Sequence, residues 1–211
     1  MTTPVHRFRM AMAKHLGKVM TPEVAAAIEA EAFAEPEQAI DPDRFDPVRH
    51  GDYTIRVESF RSIVDELDPL HREHWLETER HRHGLALNPN YGRIEAMERA
   101  GHVAQFTVRR GHAPGGELAG HLRMYQVESL HTQLPVAQED TLFLRPGHRP
   151  GGHLMVSLLR HAERVHTALG ASEIQANSKV INGADVLMRR LRYQHVGNQF
   201  SKILKEKSHV L

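Results

Sequence analysis

The sequence contains no cysteine among its 211 residues. That excludes disulfides, zinc–thiolate centres, iron–sulfur clusters and a cysteine nucleophile. It also lacks net charge: 27 basic side chains stand against 26 acidic ones, leaving +1. Nothing in that balance offers the field expected of a nucleic-acid- or membrane-binding protein. No apolar run approaches the length of a membrane span. The opening MTTPVHRFRMAMAKHLGKVM scatters basic residues where a signal peptide needs an uninterrupted apolar centre. Aromatic residues are few, at 6%, yet the hydrophobic share of 40% is that of a globular chain long enough for one full domain and an appendage. These features predict a soluble, cytoplasmic protein with no membrane or nucleic-acid partner.

What the chain has in excess is histidine, with 17 residues. His71 with His74, His81 with His83, and the set His161, Glu163 and His166 can each be drawn as ligands. None forms HExxH or another spacing with a mechanism behind it, so no metal is expected.

Residues 1–50 read as a helical extension and linker, and residues 51–211 as the domain. Thr21-Pro22-Glu23 supplies an N-cap hydroxyl, a first-turn proline and an early acid for a helix running to Phe33. Met10, Met12, Leu16 and Met20 recur at helical spacing and predict an amphipathic helix that packs on the domain or on a partner, including self-association. Glu35 to His50 sets prolines among acids and reads as an extended connector.

From Asp52 the pattern alternates. Tyr53, Ile55 and Val57 share one face of a strand. A helix follows through Phe60, Ile63, Val64 and Leu67, with Pro69 predicted to break or kink it. Trp75, Leu70 and Leu76 read as core or interface. Tyr91 to Ala100 predicts a second helix, and Gly101 to Arg110 with Glu117 to Val127 a hairpin across GHAPGG. Further strands are expected over Ala137 to Leu144, Glu173 to Asn177 and Gln194 to Leu204, with helices over Gly152 to Leu169 and Ile181 to Leu191. The resulting class is mixed α/β, layered on a single sheet.

LFLRPGHRPGGHLMVSLLRHAE, Leu142 to Glu163, joins a buried-looking strand to an amphipathic helix through a basic, glycine-containing turn. A helix start offers unpaired N–H groups and the positive end of its dipole, and glycines let an anion come close. The absence of Gly-Lys-Ser/Thr excludes a Walker loop.

The run Arg149-Pro-Gly-Gly152-His-Leu154 resembles the R-x-x-G-x-G/A signature of the GNAT superfamily of N-acetyltransferases. Leu187 to Lys202 resembles that family's closing Y-x-x-x-G-F segment, and the element order from Asp52 matches as well. EDTLFLRPGHR and the tail FSKIL are similar to acetyltransferases of tailed phages and prophages. The resemblance implies a mostly antiparallel sheet flanked by helices. It also implies acetyl-CoA as co-substrate and direct transfer of acetyl to an amine of a small molecule, a peptide N-terminus or a lysine.

By resemblance, the backbone of Leu142, Phe143 and Leu144 faces the pantetheine arm. Gly151, Gly152, His153 and Leu154 face the pyrophosphate, Arg145, His148, Arg149 and Arg160 add positive potential, and Asn177 lies near the cofactor. Glu128, His131, Glu139 and Asp140 are the alternatives for the base, and Ser178 and Tyr193 for the acid. The chain departs from the pattern at Leu154, where a smaller residue is usual. Met188 stands where a tyrosine is common, and Arg192-Tyr193 stands for Gly-Phe. These departures leave a second reading open, a GNAT-fold binding or structural module associated with phage particles.

Overall fold

The computed structural model describes residues 4–33, 39–79, 85–113, 115–179 and 183–203. Its contacts divide the chain into two compact units, Met1–Gln38 and Ala39–Leu211.

The first unit is a pair of helices, α1 (Pro4–Ala13) and α2 (Pro22–Phe33). The hydroxyl of Thr21 accepts from Val24 N–H at 3.3 Å, as its place before Pro22 predicts. Ala11, Ile28 and Ala32 pack together. The expected apolar stripe does not form: α1 ends at Ala13, while Leu16 and Met20 lie beyond it and are exposed.

In the second unit, alternating side chains make strands β1 (Val48–His50) and β2 (Tyr53–Val57), paired antiparallel across Gly51-Asp52. Residues 48–50, expected to be connector, therefore open the sheet. Helix α3 (Phe60–Thr78) follows, then α4 (Tyr91–Arg99). Strands β3 (Val103–Arg110), β4 (Leu118–Glu128) and β5 (Pro135–Leu144) form an antiparallel meander. Helix α5 (His153–Ala168), strand β6 (Glu173–Gln175) and helix α6 (Ala184–Arg190) complete the order. Among the described residues the six strands lie in sequence order, and only β5 and β6 run parallel.

Each face of the sheet is covered. Phe106, Leu122 and Leu144 on one face pack against Leu154, Leu158, Leu159, Ala162 and Val165 of α5. Val103, Leu118 and Phe143 on the other meet Phe60, Ile63, Leu67 and Leu70 of α3 and Ile94 of α4. Burying each such side chain contributes about 1.5–3 kcal/mol.

That burial explains why Pro69 does not break α3, which runs through it to Thr78. A proline forfeits one backbone bond, but Leu67, Leu70 and His71 around it are all buried against the sheet. The start of α3 is tied down too: the Glu98 carboxylate of α4 accepts from the N–H groups of Phe60 and Arg61 and from the Ser59 hydroxyl. Of the Trp75 group, only Leu70 joins the core; Leu76 is exposed.

The closing strands expected over Gln194 to Leu204 are not found among the described residues. Residues 194–203 carry no regular structure, and Val196 and Phe200 are exposed. Leu204 lies outside the described residues, as do His81, His83, Ile181, Lys205 and Lys207.

β4 and β5 approach closely at Gly120, where a Cβ would sit 2.6 Å from the Phe143 carbonyl oxygen. Gly120→Ala is therefore expected to push β5 aside and destabilise the fold by about 1–3 kcal/mol, the range for overpacking. Chemical denaturation measures this; an unchanged midpoint refutes the close packing.

Candidate active site

Beyond Leu144 the chain makes two tight turns, Pro146–His148 and Pro150–Gly152, before α5 begins. Gly151 and Gly152 both have left-handed backbones, with φ of 66° and 71°, a conformation glycine adopts without a Cβ penalty. No side chain caps α5, so its first N–H groups point out of the helix end. A Cβ at Gly152 would meet nothing within 4 Å among the described residues. The turn is thus open to an anion on the Gly152 side, whereas a Cβ at Gly151 would meet the His153 ring at 2.9 Å. Leu154 does not obstruct it: its side chain points inward and joins the α5 core.

The arginines around this turn are already engaged. Arg149 makes a bidentate pair with Glu77 at 2.8 and 2.9 Å, donates to the Leu144 carbonyl, and lies over the Phe143 ring at 5.3 Å. Arg145 pairs with Glu73 at 2.9–3.1 Å and donates to the Leu118 carbonyl at 3.0 Å. Glu73 and Glu77 are one turn apart on α3, so both guanidinium groups meet one face of that helix. His148 shares a hydrogen bond with the Tyr53 hydroxyl at 2.8 Å, and Arg160 is exposed. Positive charge is present at the turn, but the Arg149 guanidinium is already taken up by Glu77.

The second feature is a fork. β5 and β6 pair at Val136↔Glu173, Ala137↔Ile174 and Gln138↔Gln175, and no further. Past that point the β5 edge from Glu139 to Leu144 has no partner strand on the β6 side among the described residues. Glu139 spans the opening, its carboxylate accepting from Asn177 N–H at 2.9 Å. The register of β4 against β5 shifts between Arg123 and Met124. Asp140 is the extra residue there, and such a bulge re-aims neighbouring side chains.

Glu139 and Asp140 have different environments. Asp140 accepts from Arg123 at 2.7 and 2.9 Å and from the Thr141 hydroxyl at 2.7 Å. Glu139 is only 7% exposed, and burial pushes its carboxyl up to about 7; the Asn177 N–H and the Lys179 charge oppose this only in part. Lys179 forms a 2.5 Å ion pair with Glu79, just past the end of α3. His74 packs against Phe143 with ring centroids 5.4 Å apart, and burial lowers its pKa.

The structure thus brings Glu139 and Asn177 together at the fork and turns Asp140 to Arg123 of β4, with Phe143 and Leu144 leading from the fork to Arg149 and the glycine turn. Glu128 and His131 stand apart. Both are exposed, at and beyond the far end of β4. Four residues of ladder separate Glu128 from the position of Glu139, about 13 Å at strand rise. Tyr193 packs near α5, with its hydroxyl pKa raised by burial and by Glu163. Ser178 follows Asn177 and is exposed, and Met188 is buried in the α5 core. Sequence reasoning missed Glu73, Glu77, Glu79 and Lys179, because their pairing depends on α3 passing through Pro69. Among the described residues no group of three His, Asp or Glu side chains is placed to hold a metal, and no helix is long and apolar enough to cross a membrane.

No protein-family model and no curated protein matches the sequence. Solved structures do match the fold. The ribosomal-protein-alanine N-acetyltransferase of Brucella melitensis biovar Abortus 2308 aligns with a TM-score of 0.51 and 16% identity, over 73% of this chain and 99% of its own. An acetyltransferase of Trypanosoma brucei aligns with a TM-score of 0.53 and 16% identity, over 72% and 100%. AAC(6')-Iy, solved with the bisubstrate analogue CoA-S-monomethyl-acetylneamine, aligns with a TM-score of 0.54 and 16% identity, over 74% and 99%. With its mixed sheet, flanking helices and a single parallel strand pair, this chain has the GNAT-like fold of these acetyltransferases.

Proposed function

We propose that the protein is an acetyl-CoA-dependent N-acetyltransferase that moves acetyl to an amine by direct attack in a ternary complex. The observation that carries this reading is the fork between β5 and β6. A buried carboxyl with a pKa near neutrality sits at the fork, and an open glycine turn lies at the start of α5. The CoA-based analogue bound by a protein of the same fold supports it.

In this reading the N–H groups of Gly151 and His153 receive the pyrophosphate, joined by that of Gly152 once it leaves the Arg149 carbonyl to which it donates at 3.0 Å, and the unpaired edge at Leu142 to Leu144 receives the pantetheine arm. Glu139 takes the base role in preference to Glu128, His131 and Asp140. It combines position with a pKa at which it can accept a proton from an ammonium through water and release it again. Asn177 fixes that carboxylate through its backbone. Tyr193 keeps its proton, but its neighbour is Glu163 on α5, so Ser178 or solvent is left to neutralise the thiolate.

The test is a calorimetric titration with acetyl-CoA beside a thiol-release assay over amines that include small molecules, peptide N-termini and lysine peptides. Arg149→Glu is expected to weaken acetyl-CoA binding by at least about tenfold, because it sets a carboxylate beside Glu77 and against the phosphates. No binding by the intact protein refutes the reading. Binding without turnover on any amine favours the second one, a binding or structural module, possible in a phage particle. The engagement of Arg145 and Arg149 by Glu73 and Glu77 is the observation on its side.

A further inference from the structure

Lys179 follows closely on the fork between β5 and β6. It lies two residues beyond Asn177, whose amide holds Glu139. Its ammonium is tethered by Glu79 beyond the end of α3. Its charge acts on both Glu139 and His74, two buried titratable groups. The Glu79 side chain is 9% exposed and that of Lys179 36%, so the ammonium is partly withdrawn from water yet still reachable. The other described lysines have no such setting: Lys14, Lys18 and Lys202 are all exposed.

Resting on the N-acetyltransferase reading, we propose that Lys179 is a self-modification site, acetylated in cis by the site that its own side chain borders. The reaction balances without another reactant. The Lys179 ammonium gives one proton to the Glu139 carboxylate through water, and the free amine attacks the thioester carbonyl carbon of acetyl-CoA. The new C–N bond forms and the C–S bond breaks as the tetrahedral intermediate collapses. The nitrogen loses its second proton; of the two released, one ends on the CoA sulfur and one in solvent. The products are an amide at Lys179 and free CoA.

Acetylation removes the positive charge, dissolves the pair with Glu79, and ends the attraction that Lys179 exerts on the Glu139 carboxylate. It therefore also changes the charge at the fork that any external amine meets.

The experiment incubates the full chain with acetyl-CoA and follows acetyl at each lysine by peptide mass mapping, with acetyl-CoA binding measured by calorimetry in parallel. Lys179 is expected to gain acetyl about 10²-fold faster than Lys14, Lys18 and Lys202, the factor that general-base assistance supplies. The first-order rate should be independent of protein concentration. Glu139→Gln should bring Lys179 down to the rate of the exposed lysines, which a merely reactive surface lysine would not show. Lys179 gaining acetyl no faster than the others, while acetyl-CoA binds, overturns this proposal and leaves the acetyltransferase reading in place. A rate rising with protein concentration overturns the cis assignment. Absence of acetyl-CoA binding overturns both.

Discussion

Replacing Glu139 by glutamine is expected to lower kcat about 10²- to 10⁴-fold, the usual contribution of a positioned base. Acetyl-CoA affinity, read by calorimetry, should hold, because the glycine turn and Arg149 are untouched. Glutamine keeps the shape, and its amide oxygen can still accept the Asn177 N–H, so the fork stays closed at the same point. The protonation switch is what disappears. With burial raising the carboxyl to about 7, the wild-type rate should fall as pH drops below that value and level off above it. The variant should lose that limb. Stability should move the opposite way: above pH 7 an ionised, buried Glu139 costs stability that glutamine does not. A variant that is slower but harder to unfold is the signature of a group kept for function. Unchanged turnover with the pH limb intact would remove Glu139 from the mechanism and return the base role to Asp140, Glu128 or His131.

Much of this arrangement was legible before any coordinates. The β3–β4 hairpin, the α5 stripe and the glycine turn all follow from local chemistry: turn residues and i, i+4 apolar spacing. What was not legible depends on partners distant in sequence. Pro69 reads locally as a helix end, yet α3 continues because its buried side chains gain more against the sheet than one backbone bond costs. That extra length brings Glu73 and Glu77 to Arg145 and Arg149, more than seventy positions later. The pairing of Arg149 with Glu77 is invisible in the sequence, because no spacing rule reports that an arginine is already paired. Glu139 and Asp140 are adjacent and chemically alike, and the sequence alone cannot rank them. The bulge separates them, leaving one on Arg123 and the other at the fork. The closing strands failed for a related reason. β propensity in residues 194–203 counts only where side chains pack against cross-strand neighbours, and Val196 and Phe200 are left exposed.

The histidines, set aside as metal ligands, lead to the second large effect: the fold should weaken sharply in mild acid. His71, His161 and His166 are buried, and burial lowers each to about 4; Arg123 adds to this at His71 and Arg164 at His161. His121 is fully enclosed, 5.0 Å from His71 between ring centroids, and lies well below the ordinary value. In the unfolded chain these rings bind protons near 6.5. Between about 6.5 and 4 the unfolded state therefore holds more protons, and each step toward acid favours it. The stability these histidines confer is whole above 6.5 and is lost as pH falls toward 4. Going from about pH 7.5 to about pH 5 costs about 2 kcal/mol for each of His71, His161 and His166. Glu139 acts in the other direction: its carboxyl is raised, so its contribution is whole below 4.5 and is lost as pH rises through 7. Acidification over the same span thus recovers about 2 kcal/mol at Glu139, which offsets one histidine and leaves the others in command. The net loss is about 4 kcal/mol, or a fall in Tm of roughly 10 °C for a unit of this size. His166, with Phe106 as its ring neighbour and both nitrogens buried without a hydrogen-bond partner, is the cleanest probe. His166→Phe should flatten the pH dependence by about one histidine's share in denaturant titrations at the two pH values. A fold equally stable at both, or a variant with the wild-type slope, would mean that the buried rings take up protons without opposition from the core.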